Sequence, residues 1–251
     1  TKKPWQVHNC RKLDGIRDEI DALCLPEIEK AVALTSLILA MDEVDSTLGH
    51  FTSYLKDWSS RSYKEMRLKV PKIFENTEEN VVLKGDIFDS MKNIAVDFAY
   101  FDPPYGSNNE KMPPSRVRYA SYYHVWATIC KNDKPPVFGA ALRREDTSDR
   151  VAATVFEEFR KDNDGHFIAV KAIERLIQNV NAKYVALSYS SGGKATAEEL
   201  NDILNRHGKL IKTIELDYKK NVMADMKWTN EWLRDAEEPN REFIFLIDKQ
   251  A

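Results

Sequence analysis

Asp102-Pro103-Pro104-Tyr105 is the stretch of the chain whose residue types and spacing could do chemistry together. Two consecutive prolines fix their own φ angles and restrict the residues before them, so the loop starts rigid and its carbonyls point in set directions. The Asp102 carboxylate and the Pro103 carbonyl can then accept hydrogens from one amino group. An amine on an aromatic base is a poor nucleophile because its lone pair is delocalised into the ring. Two fixed acceptors favour the tetrahedral nitrogen that attack requires, which is stabilisation of a transition state by preorganised dipoles. Tyr105 adds an aromatic face on which a base can stack after leaving a duplex, an interaction worth about 1–3 kcal/mol per base. Alone, the tetrapeptide is equally well read as a stiff turn after a strand. Gly85-Asp86-Ile87-Phe88 also follows an apolar run, and two carboxylates at neighbouring strand ends favour a site over a turn.

The elements that must position these residues alternate along the second part of the chain. Val81-Val82-Leu83-Lys84 leads into Gly85, Val96 to Phe101 leads into Asp102, and Tyr184 to Tyr189 leads into Ser190-Ser191-Gly192-Gly193. Each is a short apolar run ending in polar or turn residues, as strands do. Helical spacing is predicted over Val151–Phe159, Phe167–Asn179 and Ala197–Arg206, and two further strands over Leu210–Tyr218 and Phe243–Ile247. This βαβ alternation implies an α/β fold with a mostly parallel sheet covered by helices, with ligands at the carboxyl ends of its strands. Before it, Leu13, Ile16, Ile20 and Leu23 share one helical face, a second helix starts near Pro26, and Thr52–Trp58 extends the helical region. Pro71 and the polar run from Glu75 to Asn80 mark the internal boundary. The organisation predicted is a helical segment over 1–76 and a catalytic region over 77–251, with a polar insert near 219–240.

Composition bounds the remaining possibilities. A chain of 251 residues that is 43% hydrophobic can bury a sizeable core. Its apolar stretches fall short of the roughly 20 residues that span a bilayer, and no secretion signal is seen, so a soluble, cytoplasmic protein is expected. Cys10, Cys24 and Cys130 are scattered without paired spacing, against both a disulfide framework and a zinc site. The net charge of −3, from 37 basic and 40 acidic side chains, gives no global signature of nucleic-acid binding, so any such surface is local.

Together these residues resemble the D12 class of adenine-specific DNA methyltransferases, in the branch of the FokI modification methylase. The likeness rests on Asn9 to Arg17, Gly85-Asp86, Asp102 to Tyr105, Tyr122-Tyr123-His124 and Leu187 to Ser190, of which the Asp-Pro-Pro-Tyr element is the sharp one. The resemblance implies a Rossmann-like class I methyltransferase sheet after an N-terminal helical segment. It also implies transfer of a methyl group from S-adenosylmethionine to adenine N6 in double-stranded DNA, in a restriction-modification system. Asp102, Pro103, Pro104 and Tyr105 would be catalytic, Asp86, Ile87 and Asp102 would bind cofactor, and no metal is needed because the sulfonium is already activated. The family's glycine-rich Phe-x-Gly-x-Gly element does not occur in this sequence. The sheet is therefore expected to lack its first strands here, with an N-terminal segment or separate chain supplying that element.

Other signals are weaker. Tyr122, Tyr123, His124 and Trp126 could line the passage of a flipped base or sit in a core, with His124 read as a structural hydrogen-bonding residue. Arg116, Arg118, Arg143 and Arg144 are candidate DNA contacts beside Tyr105, and Lys209, Lys212, Lys219 and Lys220, with Trp228 and Trp232 beyond, form a second candidate. Methylation of cytosine N4 or of RNA adenine, a non-catalytic DNA-binding or partner subunit of the same fold, and an unrelated α/β enzyme stand as alternatives.

Overall fold

The computed structural model describes residues 3–106, 119–148, 154–218 and 240–250. In chain order its elements begin with α1 (Val7–Ala22), α2 (Glu27–Asp42), α3 (Ile87–Ser90), β1 (Ala95–Phe101), α4 (Tyr119–Tyr122), α5 (His124–Lys131), β2 (Val137–Phe138) and β3 (Arg143–Arg144). They continue with α6 (Ile168–Asn179), β4 (Asn181–Ser190), α7 (Ala197–His207), β5 (Lys209–Tyr218) and β6 (Asn240–Asp248). The chain forms two compact units, one of Thr1–Glu79 with Tyr119–Val151 and one of Asn80–Arg118 with Ala152–Ala251. The segment from Tyr119 thus returns to the helical unit after β1 has been made.

In the helical unit, α1 and α2 bury Ile20, Leu37, Ala40 and Met41 against Trp5, Phe51, Met66 and Ile129. Pro26 caps α2, where its lack of an N–H costs nothing. The Arg17 guanidinium donates to the carbonyls of Ile129 and Cys130, tying α1 to the end of α5. Thr52–Trp58, expected to be helical, is bends and coil. Thr52 N donates to His50 Nδ1 there, a local side-chain bond of the kind that competes with a helix.

The second unit is built on a four-stranded sheet of order β1-β4-β6-β5. β1 and β4 are parallel, while β6 is antiparallel to both β4 and β5. The expectation of a mostly parallel sheet is corrected on this point. Helical crossovers make β1, β4 and β5 run the same way, as the alternation implied, but β6 returns in the opposite sense and occupies the slot between β4 and β5. Ile173, Leu176 and Ile177 of α6 and Leu200, Ile203 and Leu204 of α7 are buried with Val185, Leu187, Tyr189, Phe245 and Ile247 of one sheet face. Thr196 and Glu199 form a reciprocal capping box at the start of α7.

Two other expected elements differ. Val81–Lys84 is not a strand, and its apolar side chains are exposed. Among the described residues no strand pairs with it, and an extended segment without a ladder partner gains none of the bonds that define a sheet. In place of a helix over Val151–Phe159 the described part holds a single 3₁₀ turn, Val155–Glu157, with Thr154 Oγ1 accepting from Phe156 N.

Candidate functional site

β1 delivers Asp102 at its carboxyl end. Because Phe101 pairs with Leu187, the chain leaves the sheet beside Ser188 of β4. Asp102 is exposed and Pro103 buried, so the stiff dipeptide anchors the loop while the carboxylate faces outward. Tyr105 Oη lies 2.6 Å from Asp102 Oδ1, within donating reach of it. The same phenol oxygen lies 3.0 Å from Ser188 Oγ and 2.5 Å from Glu242 Oε1 of β6. Burial first, then the Asp102 and Glu242 carboxylates, push the Tyr105 phenol above its ordinary range, so it stays protonated. Glu242 could not be singled out from its neighbours in the chain. The one available signal was a carboxylate beside the apolar run Phe243-Ile244-Phe245.

The loop after β4 fastens the other side of the tyrosine. Tyr105 O accepts from Lys194 N at 2.9 Å and from Tyr189 Oη at 3.1 Å, and the two tyrosine rings lie 4.9 Å apart. Gly106 follows with φ +67°, and a Cβ there would fall 2.9 Å from Lys194 Cγ. Lys194 is only 8% exposed. Its ammonium sits 4.9 Å from the centre of the Phe167 ring, and burial lowers its pKa.

Asp86 and Ile87 line a separate hollow of about 720 Å³ with Phe88, Thr154, Glu158 and Arg160. Asp86 Oδ1 accepts from Phe88 N at 2.8 Å and so caps α3. Glu158 pairs with the Arg160 guanidinium at 2.8 Å, which holds its carboxyl below the usual range. Hollows of this size take a nucleoside-sized ligand. The polar groups on its walls can accept from amino or hydroxyl groups and, at Arg160, donate to them. Asp102 and Tyr105 do not line it. Among the described residues no cluster of His, Cys, Asp or Glu could hold a metal ion. None of the helices described is long and apolar enough to cross a membrane.

Of the four arginines considered for DNA, Arg116 and Arg118 lie outside the described residues. Arg143 stacks over Phe138 at 4.6 Å. Arg144 has a different place from the one expected: it is 3% exposed. Its guanidinium bonds to both oxygens of Asp133 and to Asp146, so its donors serve the helical unit. His124 is buried with Nε2 3.2 Å from Phe51 O, and its pKa is lowered by burial. Trp126 packs on Trp5 and Phe51, and Tyr122 stacks on His50 at 4.8 Å. Lys219, Lys220, Trp228 and Trp232 lie outside the described residues.

An α/β sheet presenting a rigid Asp-Pro-Pro-Tyr loop at a strand's carboxyl end is suited to group transfer onto an amine. The chain belongs to the D12 class N6 adenine-specific DNA methyltransferase family, whose model matches residues 2–191. It is similar to Modification methylase StsI of Streptococcus sanguinis, with 30% identity over 202 residues, covering 79% of this chain and 28% of that protein. It is also similar to Type II methyltransferase M.FokI of Planomicrobium okeanokoites, with 27% identity over 249 residues, covering 98% of this chain and 35% of that one. Modification methylase LlaI of Lactococcus lactis subsp. lactis is 27% identical over 208 residues, 79% of this chain and 30% of its own length. The chain spans about a third of the length of these curated relatives. No solved structure matches it significantly.

Proposed function

We propose that the chain is the catalytic part of a site-specific DNA methyltransferase acting on adenine N6 in double-stranded DNA, as one half of a restriction-modification system. The observation that carries this reading is the loop itself: an exposed Asp102 carboxylate on a proline-stiffened turn, with Tyr105 fixed at ring and hydroxyl. Asp102 Oδ and the Pro103 carbonyl accept the amine hydrogens and favour a tetrahedral nitrogen. Tyr105 offers its ring to the extruded base.

S-adenosylmethionine, when bound, supplies a methyl group already activated by its sulfonium. The volume and the acceptors of the hollow bounded by Asp86 and Ile87 support binding of its adenosine part there. That β1, β4 and β5 run the same way supports a Rossmann-like class I sheet. Among the described residues β1 stands at the edge of the sheet and pairs with β4 on one side, which supports its continuation by strands from an N-terminal segment or separate chain carrying the glycine-rich element. Arg116, Arg118 and Arg143 are the candidate contacts to DNA phosphates or bases.

The test is transfer of labelled methyl groups from S-adenosylmethionine to unmethylated duplex DNA, followed by nucleoside analysis. N6-methyladenine is the expected product, and Asp102→Ala is expected to lower the rate by about 10²–10³, the usual cost of a lost transition-state hydrogen bond. Transfer to another base, or an Asp102→Ala chain as active as the parent, would overturn the reading.

A further inference from the structure

Tyr105 Oη has one hydrogen and two carboxylates within reach of it. Asp102 Oδ1 is 2.6 Å away and Glu242 Oε1 2.5 Å away. The Ser188 hydroxyl, 3.0 Å from Tyr105 Oη and 3.1 Å from Glu242 Oε1, brings one further hydrogen that either can receive. The phenol stays protonated, so its hydrogen goes to one carboxylate or the other. A charge-assisted bond from the phenol draws on the electron density of the oxygen that receives it. If that oxygen belongs to Asp102, it is a poorer acceptor for an incoming amine.

Glu242 is placed to compete for that hydrogen. It stands near the start of β6, paired with Ser190 of β4 on one side and Leu216 of β5 on the other. A carboxylate on a strand held by two neighbours keeps its position better than one on a loop. The geometry points to Glu242 as a positioning residue that draws the Tyr105 hydroxyl hydrogen away from Asp102, leaving Asp102 Oδ1 free to accept from the target amine while the Tyr105 ring stays fixed. This rests on the reading of Asp102 as the amine's acceptor.

The test is a double-mutant cycle in the full chain. Glu242→Ala leaves Asp102 as the sole carboxylate for the phenol. It is expected to lower kcat on the order of ten- to a hundredfold, the range of coupling between directly bonded neighbours, with KM for DNA little changed. Glu242→Gln, which keeps an acceptor oxygen, loses less. Adding Tyr105→Phe to Glu242→Ala removes the hydrogen that occupies Asp102 and recovers a large part of the lost rate. A double variant no faster than Glu242→Ala would make Glu242 a structural support and overturn the proposal.

A second measurement needs no turnover. The C–O stretching band of Tyr105, isolated as the difference between the chain and Tyr105→Phe, shifts when Glu242→Ala is introduced. An unmoved band would overturn the proposal equally. Methyl transfer insensitive to Asp102→Ala would overturn only the reading beneath it, since the band result does not depend on that reading.

Discussion

Gly106 shows how closely the residues after Tyr105 are constrained. A side chain there meets two costs: the left-handed backbone, about 1–2 kcal/mol for an L-residue, and a Cβ 2.9 Å from the stem of Lys194. Lys194 can bend away, but its backbone N–H holds the Tyr105 carbonyl. Gly106→Ala is therefore expected to disturb the tyrosine's placement and lower kcat several-fold beyond its modest effect on stability. Steady-state kinetics beside thermal melts checks this, and a kcat equal to the parent's would show that the loop absorbs the methyl group. Arg143 and Arg144 show what residue types alone cannot convey. Adjacent in sequence, they read alike. The two-stranded ribbon of β2 and β3 brings Arg144 onto Asp133, eleven residues earlier, and encloses it. Glu242 was hidden for the same reason, since its bond to Tyr105 spans 137 residues.

Among the elements, α6 and α7 were legible from apolar residues at helical spacing, and β1 and β4 as short apolar runs ending in turn residues. The spacing of Ile173, Leu176 and Ile177 marks a helix face that the structure buries whole. The direction of β6 was not legible, because alternation records which face a side chain takes and is blind to which way a strand runs. Val81–Lys84 carries the apolar content of a strand, but strand formation also depends on a partner, and that is a property of the rest of the sheet. α7 shows a purely local determinant. Thr196 accepts from Glu199 N at 3.1 Å, and Glu199 returns a bond to Thr196 N at 2.8 Å. Thr196→Ala is expected to cost about 1 kcal/mol of unfolding free energy, measured by urea titration of the chain. A loss below a few tenths would mean that packing of Leu200, Ile203 and Leu204 alone sets the start of the helix.

On the scale of the whole molecule, the two edge strands of the second unit's sheet, β1 and β5, are both open. Val96, Phe98 and Tyr100 of β1 alternate onto one face and are 41%, 53% and 54% exposed. An apolar stripe on an exposed strand invites association. The chain is expected to sediment faster as its concentration rises, and Phe98→Lys to reduce that dependence; a sedimentation coefficient independent of concentration would contradict it. The helical unit has another kind of openness. Its stretch Tyr119–Val151 is held to the N-terminal stretch by bonds such as Arg17 to Ile129 and Cys130, Phe51 N to Tyr122 O, and Tyr54 Oη to Ala141 O. Order along the polypeptide and order in space are thus two different things in that unit. Because Asn80–Arg118 of the second unit lies between its two stretches in sequence, the helical unit is complete only after the chain has already supplied part of its neighbour.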